Sequence, residues 1–212
     1  MRRRGENAME GSLKYLLYVP DAYNRTPTKW PLVLFLHGAG ERGDDLELVK
    51  KHGPPKLIAQ GREFPAIIVS PQCPKEAWWP DHVAALEALL DEIVVSYRVD
   101  EDRIYVTGIS MGGFGTWALA FDQPQRFAAL GVICGRGDPA KAALLKHVPI
   151  WVFHGAKDQT VPLKDSQDMV EALQAAGGSP KFTVYPDAGH DSWTRTYEDP
   201  AFWEWLFAQR RR

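Results

Sequence analysis

The chain has only two cysteines in 212 residues, Cys73 and Cys134, too few for the disulfide framework of a small secreted scaffold. Neither stands with histidines at the spacing of a zinc motif, so no metal is expected. No apolar run nears the roughly 20 residues that span a bilayer. The net charge of −2 gives neither the basic surface of a nucleic-acid binder nor that of a protein drawn to anionic lipid. No dinucleotide fingerprint occurs, and the glycine-rich stretch HGAGERG, residues 37–43, lacks the Gly-Lys-Ser/Thr ending of a phosphate-binding loop. No cofactor is therefore implied. The amino terminus reads MRRR, but the polar stretch GENAMEGS follows where an export signal needs an apolar segment. Residues 1–12 read as a solvated tail and residues 13–212 as one domain, expected to work in the cytoplasm.

What is present is an alternation of short apolar runs with longer amphipathic ones, and 45% apolar residues in all, enough to bury a full core. Strands are expected near 13–19, 32–37, 66–70, 104–107, 127–133, 149–153 and 181–186. Helices are expected near 81–97, 111–121, 164–176 and 200–209. This order predicts an α/β domain with a mostly parallel sheet of about seven to eight strands and helices on both faces. The first strand, LKYLLYV, is expected to join antiparallel at an edge.

The stretch Gly108-Ile109-Ser110-Met111-Gly112 carries the most chemistry. A Gly-x-Ser-x-Gly string alone is weak, since at average glycine usage chance supplies it in roughly one chain in twenty of this length. Its setting makes it specific: Arg103-Ile104-Tyr105-Val106-Thr107 reads as a buried strand, and MGGFGTWALAF, residues 111–121, as a helix. Strand, sharp turn and helix are the context of a nucleophile elbow. The bland alternative is a glycine-rich turn with a serine N-cap.

A serine hydroxyl is a poor nucleophile at neutral pH, so the elbow predicts a histidine to take its proton and an acid to orient that histidine, in the order Ser, Asp, His. Pro149-Ile150-Trp151-Val152-Phe153 reads as a strand whose exit loop, His154-Gly155-Ala156-Lys157-Asp158, puts Asp158 at the carboxyl end of the sheet. Lys181-Phe182-Thr183-Val184-Tyr185 is the next strand, and the loop Pro186-Asp187-Ala188-Gly189-His190 supplies His190. Asp187 competes as the acid, although three residues before His190 it suits an Asx turn in its own loop. Asp165 falls inside a helix. Among the other histidines, His154 is read as a structural hydrogen-bonding residue, His147 precedes the strand, and His82 sits at a helix start.

Acyl transfer also needs two donors for the oxygen of a tetrahedral intermediate. One is expected to be the Met111 amide. The other is expected from the loop after Leu32-Val33-Leu34-Phe35-Leu36, most directly the Ala39 amide, with Gly38 and Gly40 as alternates. His37 is read as holding this loop.

Taken together, HGAGERG, GISMGG, HGAKDQTVP and PDAGHDSW resemble the α/β-hydrolase superfamily, within it the phospholipase/carboxylesterase and dienelactone-hydrolase-like branch that includes small feruloyl-esterase-like enzymes. The resemblance spans nearly the whole chain. It implies Ser110 as nucleophile, Asp158 as acid, His190 as base, and Ala39 with Met111 as oxyanion donors. Dienelactone hydrolases proper carry cysteine at the elbow, and Ser110 here favours ordinary ester hydrolysis. The family's sheet order would set the strands before Cys73 and Cys134 three spacings apart, roughly 14 Å at about 4.8 Å each, so free thiols are implied. Relatives with a helical cap insert it before the acid-bearing strand, where this chain has only Cys134 to Val148. An open cleft without a cap domain is expected. Trp78, Trp79 and Trp193 lie near the catalytic loops as candidates to bind substrate or to pack, whereas Trp117 is expected in the core. The expected activity is hydrolysis of a small-molecule carboxylic ester, of short-to-medium acyl or aryl type. A thioesterase or peptidase-like reaction would use the same groups, and a non-enzymatic fold-mate is the remaining alternative.

Overall fold

A computed structural model describes residues 2–4 and 13–211 of the chain. Eight strands form one sheet: β1 (Arg2–Arg4), β2 (Tyr15–Tyr18), β3 (Trp30–Leu36), β4 (Ile67–Pro71), β5 (Val99–Ile109), β6 (Ala129–Ile133), β7 (Ile150–Gly155) and β8 (Lys181–Tyr185). Their order is β1-β2-β4-β3-β5-β6-β7-β8, with β1 and β2 antiparallel and the rest parallel. The helices are α1 (Gly53–Ala59), α2 (Val83–Ser96), α3 (Met111–Asp122), α4 (Leu163–Ala175), α5 (Trp193–Glu198) and α6 (Pro200–Ala208).

Burial on both faces follows from the period of two along each strand. In β3, Leu32, Leu34 and Leu36 join one core cluster while Val33 and Phe35 join the other. The first cluster is closed by α2, α3 and α4, whose buried residues recur at helical spacing: Leu86, Leu89, Leu90 and Ile93 in α2, and Ser166, Met169, Val170 and Leu173 in α4. The second is closed by α1, α5 and α6 through Leu57, Tyr197, Phe202, Trp203 and Leu206.

Three elements differ from expectation. Arg2–Arg4 form β1 on the outer edge of β2, where unpaired main-chain groups would otherwise face solvent, so these residues are not a free tail. The remainder of the expected tail, residues 1 and 5–12, lies outside the described residues. Helix α1 is not among the expected helices; it begins Gly-Pro-Pro, and proline is tolerated in a first turn whose amides have no helical acceptor. Helix α5 is only six residues long, too short for a periodic signal. Between β6 and β7 the described chain holds one 3-10 helix, Pro139–Leu145, and no helical cap. Among the described residues no helix is long and apolar enough to cross a membrane.

Candidate active site

Two neighbouring pairs of strands position the site. β3 lies beside β5, which sets the loop after Leu36 next to Ser110, and β7 lies beside β8, which sets the Asp158 loop next to the His190 loop. All four loops leave the carboxyl ends of parallel strands, where the strand order reverses direction about β3 and β5.

Ser110 stands between β5 and α3 with φ 52° and ψ −117°, a conformation that costs a non-glycine residue free energy and holds its side chain clear of both elements. The turn is pinned by the Ser110 amide to the Ile133 carbonyl at 2.9 Å and by the Phe114 amide to the Ser110 carbonyl at 3.1 Å. It is also crowded: a Cβ on Gly112 would lie 1.9 Å from the Leu36 carbonyl oxygen, so any larger residue drives α3 away from β3.

His190 Nε2 lies 3.0 Å from Ser110 Oγ, and His190 Nδ1 lies 2.7 Å from Asp158 Oδ2. The fold thus brings together the three residues that sequence order selects. The other carboxylate oxygen, Asp158 Oδ1, accepts the Thr160 and Val161 amides at 2.8 and 3.0 Å. Burial alone would raise the Asp158 carboxyl, but the hydrogen bonds from His190, Val161 and Thr160, with the histidine's charge, hold it below the usual range. A Cβ on Gly155 would sit 2.0 Å from the Gly189 carbonyl oxygen, so the acid and base loops meet only because glycine is there. Asp187 is exposed, pairs with Arg195 at 3.3 Å and does not form the Asx turn anticipated for it, while His190 Nδ1 is taken by Asp158. His147 is exposed.

Met111 opens α3, where its amide has no helical acceptor, and Ala39 opens a 3-10 helix, Ala39–Glu41, beside it. The loop is held from behind by His37. Its Nε2 accepts the Cys73 amide at 3.0 Å, which leaves the proton on Nδ1, 2.6 Å from the Gly38 carbonyl. Burial pushes His37 down to about 4, aided by Arg42 and opposed by the Gly38 carbonyl, so the ring is neutral at pH 7.

The tryptophans divide. Trp78 is 44% exposed, stacks on Phe114 one helical turn beyond Ser110 with 8° between ring planes, and carries the Arg42 guanidinium 5.4 Å from its ring centre. Trp79 is 0% exposed, which corrects its assignment to the substrate pocket: its indole N–H donates to the His37 carbonyl at 2.9 Å and its ring underlies Gly115. A backbone that is extended at Trp78 and helical from Trp79 sends adjacent rings in opposite directions. Trp193 turns its edge to His190, with ring centres 5.2 Å apart at 89°, and donates to His52 Nδ1 at 3.3 Å, so it packs against the His190 ring.

Sequence reasoning missed Arg42, Glu41 and His52. Arg42 ties the loop together through the Ala39 and Ala77 carbonyls at 3.0 and 3.3 Å. Glu41 is buried, its carboxyl pushed up by desolvation against the pull of Lys51 and of the Gly38 and Glu41 amides, and it lies 3.8 Å from His52. The signal available was a charged pair set between glycines in HGAGERG. Cys73 and Cys134 are buried free thiols. Although no metal spacing exists in the sequence, Cys134, Asp158 and His190 bring ligand-type atoms within 4.8 Å of one another.

Among known proteins, the model of the dienelactone hydrolase family matches residues 59–201. A solved thermostable esterase is 36% identical with a TM-score of 0.83, over 94% of this chain and 60% of its own. A Salmonella typhimurium protein named as a carboxymethylenebutenolidase is 33% identical over 43% of this chain and 37% of its own length. The Aspergillus niger probable feruloyl esterase C is 23% identical over 86% of this chain and 69% of its own. The chain therefore spans little more than a third of the Salmonella relative. The fold is that of the α/β-hydrolases. With the family match extending over well more than half its length and through the Ser110 turn and the Asp158 and His190 loops, the chain belongs to the dienelactone hydrolase family.

Proposed function

We propose that the chain is a serine carboxylesterase that hydrolyses short-to-medium acyl or aryl carboxylic esters through an acyl-enzyme. One observation carries the reading: a single imidazole joins a carboxylate at 2.7 Å to the hydroxyl, at 3.0 Å, of a serine strained at a strand-to-helix elbow. Ser110 Oγ attacks the ester carbonyl carbon while His190 Nε2 takes its proton. Asp158 holds Nδ1–H, which keeps Nε2 free to accept and meets the charge that forms. The Met111 and Ala39 amides are the donors for the intermediate's oxygen, an interaction worth several kcal/mol where water is excluded. The intermediate collapses as His190 returns the proton to the leaving alcohol. A water, deprotonated in turn by His190, then attacks the acyl group and releases the carboxylic acid and Ser110. The partly exposed Trp78 ring, stacked on Phe114 one helical turn beyond Ser110, offers apolar surface for an acyl or aryl group. Esterases among the similar proteins support the reaction class.

The test is fluorophosphonate labelling with peptide mapping, beside a panel of aryl esters from acetate to palmitate, a cinnamate-type ester, an acyl thioester and an anilide. The expected outcome is label on Ser110 and fastest turnover on short-to-medium or aryl esters, abolished in Ser110→Ala. Undiminished hydrolysis in Ser110→Ala sinks the mechanism, and a thioester or anilide turned over faster than every ester replaces the substrate class.

A further inference from the structure

His154 takes no part in the scheme above, yet every polar atom of its fully buried ring is engaged with the acid loop or with α4. Nδ1 lies 2.8 Å from Ser166 Oγ, and Nε2 lies 2.9 Å from the Val161 carbonyl oxygen. Nε2 is also 3.2 Å from Asp158 Oδ2, the same oxygen that His190 holds at 2.7 Å. Because Nε2 faces two acceptors it carries a proton, and Nδ1 is left to accept the Ser166 hydroxyl. Nε2–H donates to the Val161 carbonyl and stands beside Oδ2 without a hydrogen bond to it, so that oxygen has two imidazoles next to it, His190 by hydrogen bond and His154 by electrostatic proximity.

The two carboxylate oxygens are not equivalent. Oδ1 is satisfied by two backbone amides that belong to the turn itself. Oδ2 is shared between the two histidines, so whatever His154 withdraws from it is withdrawn from His190. We propose that His154 is a positioning residue for the acid, setting how strongly Asp158 holds the protonated form of His190; the proposal rests on the serine-esterase reading. Removing the His154 N–H dipole from beside Oδ2 leaves that oxygen's charge to His190 alone, which stabilises protonated His190 and moves the loss of the base to higher pH. The other titratable groups around the pair are few. Cys134 lies behind it, its thiol pushed up to about 12 by burial and therefore uncharged. Asp191 follows His190 in the same loop, and His52 stands beyond Trp193. From α4 only the Ser166 hydroxyl reaches His154.

The experiment is the pH profile of kcat/KM on one aryl acetate for wild type, Ser166→Ala, His154→Leu and His154→Gln. In His154→Leu the acid limb is expected to move up by about half a pH unit, the scale of one nearby partial charge acting on the pair, with KM unchanged. His154→Gln, which restores an N–H donor, is expected to return the limb toward wild type, and Ser166→Ala to move it by less. An unmoved limb with a uniformly lower kcat overturns the proposal. If His154→Leu does not fold, NMR of the wild type decides: the Nε2–H resonance of His154 is expected to shift through the same pH range as the activity limb, and a constant resonance there overturns the proposal. Fluorophosphonate labelling separates the two failures. Wild type without label on Ser110 refutes the esterase reading, whereas labelled Ser110 with an unmoved limb refutes only the role of His154.

Discussion

Replacing Asp158 by asparagine changes almost no volume, and the hydrogen bonds around it dictate how the new amide sits. Oδ1 accepts the Thr160 and Val161 amides at 2.8 and 3.0 Å, so the asparagine's carbonyl oxygen has to stay there. Its NH₂ group then takes the place of Oδ2, 2.7 Å from His190 Nδ1 and 3.2 Å from His154 Nε2, whose proton stays directed at the Val161 carbonyl. An NH₂ only donates. His190 can face it only with Nδ1 unprotonated, which moves the ring's single proton to Nε2, 3.0 Å from Ser110 Oγ. The base now presents a proton to the hydroxyl it has to deprotonate, and the imidazolium of the transition state loses its counter-charge. The same tautomer error in a serine-protease triad lowers kcat about 10,000-fold, or about 5 kcal/mol, and a loss of that order is expected here. Asp187→Asn is the control, because its carboxylate is exposed and its Arg195 contact is a surface pair; a change under about twofold is expected. The assay is kcat and KM on an aryl acetate, with melting curves to show that both variants fold. Asp158→Asn within tenfold of wild type, or Asp187→Asn the more damaged of the two, refutes the reasoning.

Three further outcomes follow from the geometry. His37 is held by burial at about 4 against its ordinary 6.5, so the unfolded chain takes up the proton first; stability is full above about pH 6.5 and falls by about 3 kcal/mol as pH drops toward 4. Urea unfolding at pH 7.5 and 4.5 measures this, and an equal pH dependence in His37→Gln contradicts it. Gly155→Ala places a methyl 2.0 Å from the Gly189 carbonyl and forces the acid and base loops apart; kcat is expected to fall roughly 100-fold, and near wild-type turnover would show that the loops separate without cost. Burial pushes Cys73 to about 11 and Cys134 to about 12, so a thiol-disulfide reagent at pH 8 is expected to find no reactive thiol in the native protein and both after denaturation, and rapid native labelling counts against it.

The parts of the site that were legible in the sequence are those written in short segments. An apolar run, glycines and a hydroxyl within ten residues encode the Ser110 elbow, and a strand with the residues just past its end encodes Asp158 or His190. Parallel strands then carry those residues to one edge of the sheet whatever lies between them. What was not legible depends on long-range side-chain contacts. Trp78 and Trp79 are identical neighbours, yet one is 44% exposed and the other fully buried because the chain changes from extended to helical between them. Arg42 and His37 hold the loop that follows Leu36 by reaching Ala77 and Cys73, more than 30 residues away along the chain. Helix α1 was hidden by prolines that are harmless only because they stand in its first turn.

The two halves of the site are joined by the same physical device. On one side, Gly112 lets α3 press against the Leu36 carbonyl, which fixes the distance from Ser110 to the loop that carries Ala39. On the other, Gly155 lets the Asp158 loop press against the Gly189 carbonyl, which fixes the distance from the acid to His190. Both contacts are backbone against backbone, with no side chain whose rotation could absorb an error. A triad built this way inherits the rigidity of the sheet, and its geometry is insensitive to exchanges among surface residues such as Asp187. On the proposed reading substrate preference has no such protection, because the rings it would rest on, Trp78 and Phe114, are partly exposed and held by stacking and by Arg42. The chemistry and the specificity of this fold are therefore separable, and substitutions at Trp78 are expected to change which ester is preferred while leaving the rate at which fluorophosphonate captures Ser110 close to that of the wild type.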